Sequence, residues 1–329
     1  MKSFPPFGHS SDSARAVYDI VVHTPRTNVA AAVVAAFPQP DLPISLGKDI
    51  AVDRLDEQLA NKLFVALEPP GTHPPNAHRI REYWQLYSFI HKVGEFSDPV
   101  SGSWDGDEIL RICVALSRLV HPTTHAFRFS ARIVTLPDGS IEWIHPGIVG
   151  GHGSIAFVST VENRDWLTNE EFSLVATLLA RFDSKKWPRR LVRSLWYHEY
   201  ASLTYELDVR WVLMTTALEA LVHTDRQSST RQFRNRVLRL AGMAGISCTK
   251  EELTLAYDQR SQLAHGQHFA YASGPQVGPG MKANLSEEVI GSYRRVEEIL
   301  RACLLRAATD DPFASIFAGD DSIRMKLPI

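Results

Sequence analysis

The segment Tyr257-Asp258-Gln259-Arg260-Ser261-Gln262-Leu263-Ala264-His265-Gly266 decides how this chain is interpreted. It ends an amphipathic run that begins near Thr249, and it stops at a glycine, as helices commonly do at their C-termini. Arginine is a permanent, fork-shaped cation suited to phosphate, and histidine exchanges protons near neutral pH. Arg260 and His265 could therefore supply the minimum that metal-free cleavage of a phosphodiester requires, a cation for the phosphate and a group that transfers protons.

The spacing between these two residues is a weak motif by itself. With 13 histidines in 329 residues, roughly one arginine followed five positions later by a histidine is expected by chance. A second pair, Arg193 and His198, lies beside Trp196, and we expect that pair to be packed in the interior. Only the copy at 260–265 follows an apolar run over 211–221 and a basic run over 231–240.

This combination resembles the HEPN superfamily, specifically its Apea-like branch. Members carry a helix with an "alEaL" pattern, here around Glu219, then an arginine-containing helix, and an ending of the form Tyr-x-x-Arg-Ser-x-apolar-x-His-Gly. The resemblance covers about residues 168–310. It implies an all-α helical bundle that forms a homodimer and cleaves RNA without a metal or any other cofactor.

The resemblance also implies roles for the motif residues. Arg260 would hold the scissile phosphate, and His265 would act as general acid or base in the attack of the ribose 2′-hydroxyl. Glu219, Ser261 and Tyr257 would support the site. On an ideal helix Arg260 and His265 point about 140° apart. The reach of the arginine, a distorted last turn or the second protomer must therefore bring them together.

A structural interpretation of the same residues stays open. Many active HEPN nucleases have Asn, Asp or His directly after the arginine, whereas this chain has Ser261. Glu219 lies within an apolar run, so its carboxylate needs a cationic partner, either Arg260 or Arg236. In that interpretation Arg260 only forms a structural ion pair, for example with Glu219, and His265 only caps its helix.

Two groups of basic residues, one near Trp187 and one in the basic run over 231–240, are typical of surfaces that contact a phosphate backbone. A cluster surrounds Trp187, whose ring could stack on an unpaired base. The residues we expect to contact RNA are Arg231, Arg234, Lys185 and Lys186. A run of charge is also typical of a helix face that is simply solvated.

Length and composition predict two domains. A chain of 329 residues exceeds what one core usually serves, so we expect an α+β domain at 1–165 and the helical bundle at 166–329 with an acidic tail. The net charge of −2 excludes a uniformly basic protein. Three widely spaced cysteines, with no metal-ligand spacing, favour a reducing cytoplasm and no metal site. Neither a signal peptide nor a membrane span is expected.

Periodicity gives the expected elements. In the first half these are strands at 17–23, 44–52, 126–136, 141–145 and 154–161, and helices at 28–37, 56–67, 77–92 and 107–120. In the second half they are helices at 168–182, 189–205, 207–223, 228–241, 249–265 and 286–308, followed by a weakly periodic tail. The first half resembles no family, and its trigger ligand or protein partner stays unknown.

The leading hypothesis is therefore a metal-independent HEPN endoribonuclease in a defence or toxin-like role, with residues 1–165 as sensor or regulator. The alternative is a non-catalytic HEPN module that uses the same bundle to dimerise or to hold RNA or a nucleotide.

Overall fold

The computed structural model describes residues 26–32, 41–47, 49–53, 87–93, 105–122, 127–135, 141–147, 167–182, 187–204, 207–224, 229–265 and 287–329. The chain forms two compact units, and the fold is α+β. Unit 1 comprises Met1–Val114 and Phe127–Gly150, and unit 2 comprises Ala115–Ala126 and Gly151–Ile329. The domain boundary predicted near residue 165 and the strands predicted at 17–23 and 154–161 lie outside the described residues, as does the helix predicted at 56–67.

Unit 1 contains a six-stranded sheet in the order β2-β3-β4-β1-β5-β6, in which every neighbouring pair is antiparallel. The strands are β1 (Arg26–Ala32), β2 (Ile44–Gly47), β3 (Ile50–Asp53), β4 (Tyr87–Val93), β5 (Phe127–Thr135) and β6 (Ile141–Gly147). The hairpin predicted from 126–136 and 141–145 is confirmed as β5 and β6. Helix α1 (Asp105–Val120), whose residues from Ala115 onward belong to unit 2, confirms the helix predicted at 107–120.

Three predictions in the first half are wrong. The helix expected at 28–37 is strand β1 in its described part, which pairs with β4 on one side and β5 on the other. The helix expected at 77–92 is strand β4 over its described residues. The single strand expected at 44–52 is a tight hairpin, because the backbone reverses at Gly47 and Asp49, whose φ angles are 81° and 59°.

All six helices predicted for the second half are confirmed. They are α2 (Asn169–Arg181), α3 (Arg189–Leu203), α4 (Leu207–Val222), α5 (Ser229–Met243), α6 (Lys250–Ala264) and α7 (Glu287–Thr309). A capping box opens α2: the Thr168 hydroxyl accepts from the Glu171 N–H, and the Glu171 carboxylate accepts from the Thr168 N–H. The 23-residue α7 packs against each of α2 to α6.

Helix α4 forms the middle of this unit because it is apolar on nearly all sides. Its Trp211 is 1% exposed, donates its indole N–H to the carbonyl of Ala256 in α6 at 3.1 Å, and lies 6.0 Å from the ring of Tyr293 in α7. Along α4 the other fully enclosed apolar residues are Met214, Ala217, Leu218, Leu221 and Val222. This packing fixes α4 relative to α6, which carries the motif.

The acidic tail is more ordered than its sequence predicts. It forms α8 (Asp311–Ala314), a 3₁₀ helix at Ser315–Ala318 and α9 (Asp320–Lys326). Five of its apolar residues are buried, namely Phe313, Ile316, Phe317, Ile323 and Leu327, whereas Met325 and Ile329 are exposed. Arg236 of α5 donates from Nε to the carbonyl oxygen of Leu327 at 3.1 Å. The tail is therefore part of the core of unit 2.

Unit 2 also encloses charged and titratable side chains. Arg118 forms an ion pair with Glu199 of α3, and their side chains are only 3% and 4% exposed. Beside them, burial lowers the pKa of His198 to about 3, with the nearby Arg301 and Arg118 cations adding to the effect. Since an unpaired buried charge is costly, the neutral imidazole is the stable form here.

Within the described ranges, no helix combines the length and apolar character that crossing a membrane requires. In the same part of the chain, no three His, Cys, Asp or Glu side chains come together as a group that could hold a metal ion.

Candidate functional site

Helix α6 presents the motif, and its sequence explains where it starts and how it is anchored. Thr249 accepts a hydrogen bond from the Glu252 N–H at 3.1 Å, and Glu252 accepts one from the Thr249 N–H at 2.6 Å. This capping box satisfies donors that the first turn would leave unpaired. The buried face of the helix consists of Leu253, Ala256 and Tyr257. Arg260 follows one turn after this buried face.

The carboxylate of Glu219 orients the arginine. Arg260 donates from Nη2 to Glu219 Oε2 at 3.0 Å, and the other carboxylate oxygen accepts from the Tyr257 hydroxyl at 3.3 Å and from the Thr224 hydroxyl at 3.1 Å. The Arg260 and Glu219 side chains are 26% and 16% exposed. Both oxygens of the carboxylate are thus occupied, while the guanidinium keeps N–H donors that Glu219 does not use.

The ring of Tyr257 lies between α5 and the guanidinium of Arg260 and contacts both. Its ring is 5.0 Å from that of Phe233 in α5, and the Arg260 guanidinium carbon lies 5.8 Å from the Tyr257 ring centre. At this distance the ring quadrupole attracts the cation. Tyr257 is 7% exposed, so it is a packed residue whose hydroxyl reaches the site. Its ring therefore packs in the core, while its hydroxyl donates a hydrogen bond to Glu219.

His265 is exposed and stands at the C-cap of α6, with φ and ψ of −93° and 14°. Its backbone N–H is shared between the carbonyls of Ser261 at 3.1 Å and Gln262 at 3.2 Å. Such a shared bond tightens the last turn, as is frequent at helix ends. The main chain of His265 therefore closes the helix, whereas its imidazole faces solvent. The half-buried Ser261 contributes its carbonyl to this turn.

Glu219 had two expected partners, and Arg260 is the one it contacts. Arg236 instead donates to main-chain carbonyl oxygens, those of Val222 and His223 at the end of α4 as well as Leu327. It is 2% exposed and holds α4, α5 and the tail together. The structure also adds Thr224, which the sequence interpretation missed. The available signal was a hydroxyl residue two positions after the end of α4, the helix that carries the part-buried Glu219.

The predicted RNA contacts fall in different places. Arg231 is exposed and Arg234 is half-buried on α5, on either side of Phe233 in sequence. Since Phe233 contacts Tyr257, these two arginines lie on the helix end that adjoins the Arg260 region. Lys185 and Lys186 lie outside the described residues.

The chain matches no family model, and no curated protein or solved structure is similar enough to match it. The HEPN resemblance therefore depends on the three sequence motifs alone.

The structure brings Glu219, Arg260, Tyr257 and Thr224 together, and the exposed His265 follows Arg260 by five residues at the end of the same helix. A guanidinium that a carboxylate holds in this way can bind an anionic oxygen with its remaining donors.

Proposed function

We propose that this protein is a metal-independent endoribonuclease of HEPN type. The observation that carries the proposal is the hydrogen bond between Arg260 Nη2 and Glu219 Oε2 at 3.0 Å, with an exposed His265 five residues further along the chain. Holding a guanidinium in place before substrate arrives reduces the cost of ordering it on binding. Arg260 would bind the scissile phosphate and stabilise the charge that grows on its oxygens.

In the proposed reaction His265 exchanges a proton with the ribose 2′-hydroxyl or with the departing 5′-oxygen. The 2′-oxygen forms a bond to phosphorus as the bond to the 5′-oxygen breaks. The products are a 2′,3′-cyclic phosphate and a 5′-hydroxyl, so atoms and charge balance without a further reactant. A second protomer would complete the cleft, since one helix directs Arg260 and His265 about 140° apart.

The proposed setting is defence or a toxin-like response in the cytoplasm, in which the α+β part of the chain senses a trigger. The sheet-containing unit and the helical unit are separate compact bodies, which supports a division between sensing and cutting.

A non-catalytic role for the same helices is the second candidate. It is favoured by the Arg260–Glu219 ion pair itself, because a brace between α4 and α6 would look the same. In that case the bundle dimerises or holds RNA or a nucleotide, and Arg260 contributes to stability alone.

One experiment separates the two candidates. Labelled single-stranded RNA is incubated with the full-length protein in EDTA, and the product ends are determined by mass spectrometry. The nuclease predicts cyclic phosphate ends, no cleavage of a probe with 2′-O-methyl groups, and a loss of at least about 100-fold in rate for His265→Ala. Gln262→Ala, at an exposed position one turn earlier, is the matched control and should cut normally.

The opposite result is equally clear. If folded wild-type protein binds the RNA but leaves it intact, or if His265→Ala cuts as fast as wild type, the nuclease proposal is wrong. Sedimentation equilibrium at the same protein concentration tests the proposed dimer independently of cleavage.

A further inference from the structure

Helix α3 has a solvent-facing stripe that the proposed cleavage site does not use. Its inward face consists of Leu191, Ser194, Leu195, His198, Glu199 and Ala201, all buried. The opposite stripe borders a surface groove of about 480 Å³ lined by Arg189, Val192, Arg193, Trp196, Tyr197 and Tyr200. Because these positions recur every three or four residues, they lie along one side of the helix. Together they are called the α3 stripe below.

The α3 stripe is divided into a cationic and an aromatic half. Arg189 and Arg193 are exposed in the first two turns, and Tyr200, near the other end, is 46% exposed. The Trp196 and Tyr200 rings are 6.3 Å apart at 33°, so they form a nearly continuous aromatic surface. From Arg189 to Tyr200 the stripe is about 16 Å long.

The charge of the α3 stripe has no acidic counterpart in the described part of the chain. Neither Arg189 nor Arg193 forms an ion pair there, whereas their neighbour Arg190 pairs with Asp320. The only carboxylate on α3 is Glu199, which is buried against Arg118 on the inward face. The outward face thus keeps two uncompensated positive charges next to its aromatic rings.

This combination decides the class of ligand. A second protein helix packed on the rings would have to remove two guanidinium groups from water without a partner, which is costly. A ligand with regularly spaced anions and flat apolar groups can bind the arginines and the aromatic rings of the α3 stripe at the same time. Phosphates bind to the arginines while unpaired bases stack on the rings.

The geometry points to the α3 stripe as a binding site for single-stranded nucleic acid, with Arg189 and Arg193 on phosphates and Trp196 and Tyr200 under the bases. Arg193 was expected to be packed with His198. Only His198 is buried, and Arg193 faces the groove. The site involves neither Arg260 nor His265, so it goes beyond the proposed cleavage chemistry.

Fluorescence anisotropy with the full-length protein tests this site. The probes are a short labelled 2′-O-methyl oligouridylate and an oligothymidylate of equal length, neither of which can be cut by 2′-hydroxyl attack. We expect both to bind. Tyr200→Leu should weaken binding about tenfold, and Tyr200→Phe should retain it, since the ring supplies the stacking contact.

The arginines are tested through salt dependence. Replacing both Arg189 and Arg193 by glutamine should reduce the magnitude of the slope of log K against log salt concentration by about 1.4, since each phosphate contact on a single strand contributes about 0.7. The matched control replaces the exposed cations Lys250 and Arg306 by glutamine, which changes the net charge equally away from α3.

Several results would overturn the proposal. These are no binding of either probe, a salt slope that falls equally in the control, or tighter binding of duplex than of single strands. If Tyr200→Leu alters self-association in sedimentation while probe binding is unchanged, the stripe contacts a second copy of the chain instead. Since the probes cannot be cleaved, failure here and failure of the nuclease proposal remain distinguishable.

Discussion

Glu219 and Arg260 are 41 residues apart in sequence, yet their side chains meet at 3.0 Å between α4 and α6. The carboxylate also accepts hydrogen bonds from Tyr257 and Thr224, so three residues hold one guanidinium in place. Both the nuclease and the structural interpretation use this contact. They differ in whether the remaining N–H donors of Arg260 bind a ligand.

Replacing Glu219 should measure how much the contact contributes. Glu219→Ala leaves Arg260, Tyr257 and Thr224 without their acceptor, and we expect the free energy of unfolding to fall by about 1 to 2 kcal/mol, as the group is partly exposed. Glu219→Gln retains an acceptor and should cost less. Urea denaturation gives the values. Glu251→Ala, at an exposed position on α6, serves as control, and an equal loss there would contradict the assignment.

The capping box of α6 should matter for the helix that carries the motif. Thr249→Ala removes the acceptor for the Glu252 N–H, and we expect a loss of about 1 kcal/mol in unfolding free energy. Thr254→Ala is the matched control, since Thr254 only donates to a carbonyl one turn back in the same helix. Thermal or urea unfolding should show a smaller effect for Thr254→Ala, and the reverse order would refute the role of the cap.

The enclosed ion pair between Arg118 and Glu199 should be sensitive to removal of one partner. Arg118→Met leaves the Glu199 carboxylate buried and uncompensated, and we expect a loss of about 3 to 5 kcal/mol. Adding Glu199→Leu should recover part of this loss, a coupling that a double-mutant cycle measures. Asp321→Ala, which breaks an exposed pair with Arg324, should change stability by less than about 1 kcal/mol. Additive effects of the two buried changes would contradict the coupling.

His198 should make the fold sensitive to acid. The pKa of His198 is about 3 in the folded protein and about 6.5 in the unfolded chain. Between these two values the unfolded state binds a proton at His198 and the folded state does not. The stability contributed by the neutral ring is complete above about pH 6.5 and is lost as the pH falls toward 3. The expected slope is about 1.4 kcal/mol per pH unit.

The comparison of wild type with His198→Leu isolates this effect. Between about pH 7.5 and about pH 5, wild type should lose about 2 kcal/mol more than the variant. Glu297, whose pKa is raised by burial, is common to both proteins. Parallel pH profiles from urea unfolding would show that His198 is not responsible.

The helical half could be predicted from sequence because its signals are local. Capping boxes at Thr168 and Thr249 and a period near 3.6 residues identify helix starts and buried faces without knowledge of the partners. The need of Glu219 for a cationic partner also followed from a local argument, since a carboxylate inside an apolar run needs a cation, but the choice of Arg260 over Arg236 did not. The hydrogen bond from the Thr224 hydroxyl to Glu219 could not be predicted in this way, because the position of Thr224 depends on the path of the chain after α4.

The sheet could not be predicted in the same way. Strand β1 contains Ala30, Ala31 and Ala32, which favour a helix by intrinsic propensity, yet pairing with β4 and β5 on its two sides overrides that preference. In β4 the aromatic and β-branched residues alternate over 87–93, but an apparent helical period from upstream residues masked the alternation. Long-range pairing thus decided both elements.

The tail was underestimated for another reason. Asp310 accepts from the Phe313 N–H at 3.1 Å and caps α8, with a proline in the first turn, which is a recognisable helix start. Its helices are too short for a periodic pattern to stand out, and their stability comes from burying Phe313, Ile316 and Phe317.

The hydrogen bond from Arg236 to the carbonyl of Leu327 spans 91 residues, and this has a consequence during translation. As the ribosome releases the chain from its N-terminus onward, α4 and α5 emerge long before the segment that completes their packing. The apolar surface that Ile323 and Leu327 cover stays exposed until they have left the ribosome. A chain that ends before Ile323 should therefore keep this surface exposed and bind chaperones, whereas the chain that includes Leu327 should not.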